Sequence, residues 1–159
     1  MSDDEKMTLE EATKKLAIQS NNGLWPILDK ENPSESEIEE AVSMSHAARY
    51  LWSKVGTIVN LVRADYMIVR VFVKSNRAHP ALLYAERCLE LAKKAEKEDP
   101  GFKDWDMPFV FEALARAHAV NGNKEECKKF KDKAQKLTDK LESEDDKKIC
   151  QGEIDKIQC

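Results

Sequence analysis

Three arginines and two aromatic side chains fall at intervals that a helix would bring to one face. Arg63, Tyr66, Arg70 and Val73 recur at i, i+3, i+7 and i+10, and so do Phe109, Glu112, Arg116 and Ala119. On two neighbouring helices these residues could grip a carboxylate or phosphate. A guanidinium fork meets two oxygens at once, and aromatic faces hold the apolar groups beside them. The expected site is a groove of Arg63, Tyr66, Arg70, Phe109, Glu112 and Arg116 that reads an acidic segment or a C-terminal carboxylate. The same residues also admit an internal reading. Glu112 and Arg116 are an i, i+4 pair, worth roughly a few tenths of a kcal/mol on a free helix. Arg63 and Arg70 have Asp65, Glu86 and Glu90 as candidate partners.

Other residue types offer less. His118 stands at an aromatic-like position in a helix core, His46 lies one turn before Tyr50 and is expected to be buried beside Trp52, and His79 precedes Pro80 at a helix start. Neither a His pair at i, i+4 nor a zinc-type Cys/His spacing occurs, so no metal and no cofactor is expected. The glycine-rich phosphate loops and the nucleophile-elbow motif of hydrolases are lacking too, and the expectation is a non-enzyme. The lysines of 124–140 alternate with Glu125, Glu126, Asp132 and Asp139 and lack interleaved aromatics, which reads as a solvated face. Trp25, Trp52 and Trp105 sit near helix ends and read as packing residues.

The elements that must position these groups are helices. The first opens at Thr8 with Glu11 three residues later, a capping box, turns Leu9, Ala12, Leu16 and Ala17 inward, and stops at Asn21-Asn22-Gly23. Trp25-Pro26-Ile27-Leu28 forms an apolar plug. A second helix runs from Pro33-Ser34 to Gly56, and a third covers 57–75. That third one is apolar around most of its circumference, which marks an element flanked on several sides. Its β-branched residues allow a strand, but its length without a turn signal favours a helix. Further helices are expected over 80–97, from an Asp106 N-cap to Asn121, over 124–142, and after Ser143. The last of these turns Ile149, Cys150, Ile154 and Ile157 inward.

Three of the seven helices carry a ladder at i, i+4, i+7: Ala41, Ser45, Ala48; Ala81, Ala85, Cys88; Cys127, Lys131, Ala134. Small residues at that spacing let another helix approach closely, and anchors about 40 residues apart suit helix-hairpin repeats. The expected fold is all-α: a right-handed array of three antiparallel hairpins with a C-terminal capping helix. Residues 1–7 are expected to be frayed, and 8–159 to form one domain.

Composition limits the partners. Thirty acidic against 26 basic side chains leave a net charge of −4, which argues against nucleic acid. The longest apolar stretch ends at Arg70, far short of a membrane span. The opening Met-Ser-Asp-Asp-Glu-Lys has no secretory apolar region, and four cysteines occur without a C-x-x-C pair. Reduced thiols in a cytoplasmic protein are expected.

The later ladder and the helix before it resemble the tetratricopeptide repeat. Phe111, Leu114, Ala115, His118, Gly122, Cys127 and Ala134 fall where that pattern has a large apolar residue, a leucine, a small residue, an aromatic, the turn glycine and two small residues. The middle unit supplies Ile68, Val69, Phe72, Asn76, Ala81, Ala85 and Cys88, and departs from the pattern at Asp65, Val69 and Asn76. The run 45–56, with 87–90 and 112–117, is also similar to uncharacterised prokaryotic helical proteins that often carry His where this chain has Leu51 and Tyr84. The resemblance implies a fold and a concave binding groove, but no activity. The expected function is an adaptor or scaffold for a protein or peptide partner, with self-association as a further partner expectation. A small-molecule or anion-sensing module is the alternative.

Overall fold

In the computed structural model, residues 6–159 are described. All their regular structure is helical: α1 (Leu9–Asn22), α2 (Trp25–Leu28), α3 (Glu35–Val55), α4 (Ile58–Lys74), α5 (Ala78–Glu98), α6 (Asp106–Val120), α7 (Lys124–Asp139) and α8 (Glu144–Asp155). Lys6 and Met7 precede α1 without regular structure, and the rest of the expected frayed terminus, 1–5, lies outside the described residues.

Local chemistry sets the helix ends. The Thr8 hydroxyl accepts from Glu11 N (3.1 Å) while the Glu11 carboxylate accepts from Thr8 N (2.9 Å). Ser34 and Glu37 repeat this box on α3, and Ser143 caps α8 through Asp146 N (3.2 Å). Each box satisfies amide donors that the first helical turn leaves without intrahelical partners. Both α4 and α6 end in a left-handed residue, Asn76 (φ 56°) and Gly122 (φ 75°). In each case the next amide reaches back to the carbonyl five residues earlier: Arg77 N to Phe72 O and Asn123 N to His118 O, both 2.9 Å. Asn76, a departure from the repeat pattern, therefore makes the same turn as the glycine, because Asn tolerates the left-handed region better than most side chains.

Each longer helix packs on the next in the chain, and α4 also touches α6, as α6 touches α8. The ladder residues Ala41, Ser45, Ala48, Ala81, Ala85, Cys88, Cys127 and Ala134 are at most 1% exposed. Helix α4 lies against α3, α5 and α6, so 64–72 is buried without interruption.

Several expectations need correction. Leu9 and Leu16 are 85% and 52% exposed, because only the Ala17 side of α1 meets α3. Ile149 is 59% exposed, although Cys150, Ile154 and Ile157 are buried. The plug at Trp25–Leu28 is a helical turn, adding an eighth element to the seven expected. Helix α5 starts at Ala78 rather than at Pro80, and α7 ends at Asp139. Asp106 is the first residue of α6 instead of its cap, since its carboxylate is turned toward Lys103 N (2.8 Å) and Arg63. Lys131 keeps its ladder position, but its ammonium leaves the seam to donate to Ile157 O (2.8 Å).

Candidate functional site

Along α4, one face forms the floor of a cleft, with α6 beside it. Asn21 and Trp25 stand on one side, and Ile149 and Glu153 of α8 on the other. Toward the start of α4 the cleft widens into an apolar cavity of about 240 Å³ lined by Trp25, Val62, Tyr66, Met67, Trp105 and Phe109, among others. The Tyr66 and Phe109 rings meet edge to face at 5.6 Å, and Phe109 meets Trp105 at 6.1 Å. Toward the end of α4 lies a second cavity, about 270 Å³, where Arg70, Lys74, Arg116 and Lys156 face Asp29.

Arg63, Tyr66, Arg70, Phe109 and Arg116 line this cleft, and Glu112 is paired to Arg116 beside it. Yet none is exposed: Tyr66, Arg70 and Glu112 keep 8%, 9% and 1% of their surface, and the other three are half-buried. The cause is cover from both flanks. The Arg70 guanidinium lies 5.7 Å from the ring centres of both Trp25 and Tyr66, and the Glu153 carboxylate reaches it from α8. Arg70 Nη1 donates to the Tyr66 hydroxyl (2.7 Å) and stands 3.1 Å from Glu153 Oε2. Arg116 Nη2 donates to the same Oε2 (2.9 Å) and to the Glu153 backbone carbonyl (3.1 Å), while its Nε pairs with Glu112. Lys156 donates to Glu153 Oε1 (3.0 Å). The second oxygen of Glu112, Oε2, is buried with no hydrogen-bond partner among the described residues.

Charge follows this geometry. Burial pushes the Glu153 carboxyl up, but Arg70, Lys156 and Arg116 outweigh it and hold the group below the usual carboxylate range. Burial raises Tyr66 well above the ordinary phenol value, with Glu112 adding to the effect, so it stays a neutral hydroxyl. For Arg70, burial works against the cation, and Tyr66, Glu112 and Glu153 more than restore it.

Arg63 sits apart from this network. It forks onto both oxygens of Asp106, Nε to Oδ1 and Nη2 to Oδ2 at 2.9 Å each, and stacks over Trp105 at 4.5 Å. The expected partners Asp65, Glu86 and Glu90 are thus replaced by Asp106 and Glu153. Asp65, fully buried on another side of α4, is held instead by Arg49 (3.0 Å) and Arg87 (2.9 and 3.2 Å). The Glu112–Arg116 pair forms as its spacing implies. Sequence reading missed Trp25, Lys74, Glu153 and Lys156 as site residues. Lys74 follows Arg70 by one turn on α4, so helical spacing could have found it; no local pattern signals the other three, since each comes to the cleft through packing of distant helices.

His118 is 8% exposed, stacks flat on Phe130 at 5.5 Å and meets Asn123 Nδ2 through Nδ1 (3.2 Å). His46 contacts the rings of Phe72 and Tyr84 rather than Trp52. Burial pushes the Cys150 thiol up to about 11, and that of Cys88 higher still. The expectation of reduced thiols fails for two of the four cysteines. Cys127 and Cys159 form a disulfide, because buried Ile157 and its bond to Lys131 bring the last residue back onto α7. Among the described residues, no group of three or more His, Cys, Asp and Glu side chains is placed to hold a metal ion, and no helix is long and apolar enough to cross a membrane. Comparison with protein-family models, with curated proteins and with solved structures finds no match to this chain.

Proposed function

We propose that this chain is a non-enzymatic adaptor or scaffold of tetratricopeptide-like, right-handed architecture. Its three antiparallel hairpins are α1 with α3, α4 with α5, and α6 with α7, and α8 caps the last of them. The cleft on α4 and α6 receives an acidic or carboxylate-bearing segment of a protein partner. The observation that carries this reading is the convergence of Arg70 and Arg116 on a single carboxylate oxygen, 3.1 and 2.9 Å away, next to an aromatic cavity. Both arginines also reach the cationic cavity, where Lys74 makes no ion pair among the described residues. In place of Glu153, an incoming carboxylate would meet fixed forks and the Lys74 ammonium, and its apolar neighbour would meet Trp105 and Phe109. The small-molecule reading has less support, because the cleft's two cavities, about 240 and 270 Å³, fall short of the roughly 300–1,000 Å³ that drug-sized ligands occupy. Self-association would use the outer face of α1, where Leu9 and Leu16 are exposed. A cytoplasmic site of action is part of the proposal, and it entails open Cys127 and Cys159 thiols there, since the cytosolic thiol pool is reducing.

The test is affinity capture from the cell's own extract, with wild-type bait against a Lys74→Glu/Lys156→Glu bait. These two substitutions reverse charge in the cationic cavity without replacing Arg70 or Arg116; Lys156→Glu also removes a partner of Glu153, so a Lys74→Glu bait is run beside the double variant. Specific bands lost with both variants support the groove. Identical bands from all three baits refute it. Light scattering of the pure protein, with and without Leu16→Glu, separates self-association from partner binding.

A further inference from the structure

The carboxylate that Arg70 and Arg116 hold belongs to the chain's own last helix. Past Glu153 the backbone returns to α7. Ile157 is buried, its carbonyl accepts from Lys131 Nζ (2.8 Å), and Cys159 is joined to Cys127. Helix α8 makes its main contacts with α6 and α7, and it reaches α4 through the pair of Glu153 with Arg70. It thus presents the group that the cleft is suited to bind, from an element at the edge of the fold, with a covalent link just beyond it.

We infer that α8 is a detachable occupant of the groove, latched by the Cys127–Cys159 disulfide, and that opening this bond frees the arginine pair for a carboxylate-bearing partner. The inference rests on the groove reading above and adds its regulation. A dithiol is the reductant. One of its thiolates attacks Cys159 Sγ, the less buried sulfur of the pair. The protein S–S bond breaks, a mixed disulfide forms on Cys159, and Cys127 leaves as a thiolate that takes a proton. The second thiol of the reductant then attacks its own sulfur in the mixed disulfide. Cys159 is expelled and protonated, and the reductant departs as a cyclic disulfide, two electrons having passed to the protein. Helix α8 is then held only by noncovalent contacts: buried Cys150 and Ile154, the paired amides of Gln135 and Gln151 (2.6 and 2.9 Å), and Glu153 itself. Its docking becomes a local equilibrium against which a partner competes.

Two readouts on the full chain test this. Hydrogen exchange of the α8 amides is followed in oxidised protein, in dithiothreitol-reduced protein and in Cys159→Ser. Fluorescein-labelled tetraglutamate is titrated into the same three samples and into oxidised Glu153→Gln. The expected result is at least tenfold faster α8 exchange in the reduced and Cys159→Ser forms. Tetraglutamate should bind at least tenfold tighter to these two and to Glu153→Gln than to the oxidised wild type. Equal α8 exchange in all three samples overturns the latch. Faster exchange with equal tetraglutamate affinity in all four overturns the claim that α8 blocks the site. Faster α8 exchange with no tetraglutamate binding to any form, Glu153→Gln included, leaves the latch standing and sinks the groove reading instead.

Discussion

Arg116 answers a buried acid as well as Glu153, and that dual role decides how its substitutions behave. Glu112 is 1% exposed, and among the described residues its charged partner at salt-bridge distance is Arg116 alone. Arg116→Ala would strand that carboxylate, which costs about 3–5 kcal/mol for a buried pair broken on one side. Urea denaturation should show this loss whether or not a ligand exists, so alanine scanning of the arginines cannot by itself report binding. Restoration of most of that stability in Glu112→Gln/Arg116→Met would identify the stranded charge as its cause. His118 makes a second residue-scale prediction. Burial lowers its imidazole below the ordinary value. The unfolded chain therefore takes up a proton near pH 6.5, where the folded chain still resists it. More protons bound in the unfolded state means that stability rises with pH in this window. As pH falls from about 6.5 through the lower folded value, wild type should lose stability relative to His118→Gln. Parallel urea midpoints for the two proteins across that range would contradict the assignment.

At the scale of helices, the seams and turns carry the fold. Ala85 is fully buried where α5 meets its neighbours, and Leu83 on the same helix is 55% exposed. Ala85→Leu overfills a closed seam and should cost about 1–3 kcal/mol. Leu83→Ala should stay within about 0.5 kcal/mol of wild type. Equal urea midpoints for both variants would mean that close approach along α5 is not what holds the helices. The turn residue Gly122 has φ 75° and open space around a would-be Cβ, so Gly122→Ala isolates backbone strain from crowding. Its expected cost is about 1–2 kcal/mol, the penalty of an L-residue in the left-handed region. Much of this scale was legible in the residues. The capping boxes at Thr8 and Ser34 and the stop at Gly122 act across only a few positions, and spacing alone displays them. The boundary error at Asp106 arose where a distant contact intervened. Asp106, a good cap by type, is instead drawn toward Arg63.

For the molecule as a whole, the Cys127–Cys159 link closes a loop between residues 32 apart. Loop-closure entropy gives such a link roughly 3–4 kcal/mol of stabilisation. Reduction, or Cys159→Ser, should lower the unfolding free energy from urea denaturation by an amount in that range, and the urea midpoint with it. If α8 detaches on its own, part of the loss will appear as early exchange of its amides, before the global transition. An unchanged midpoint on reduction would show that the bond adds nothing to the packing of Ile154 and Ile157.

The amino-acid sequence by itself determined that this chain is helical, where most of its helices begin and end, and which small residues line the seams between them. Those properties arise from interactions within a turn or two, so residue type and spacing are enough to display them. The tertiary structure alone decided which acid meets which arginine, and that the last cysteine is bonded to α7. Arg63 finds Asp106 at a separation of 43 residues, and Arg116 finds Glu153 at 37. Many carboxylates in so charged a chain could have served. The choice falls to whichever one the packed helices bring within a few ångströms and shield from water, and that is a property of the assembled core.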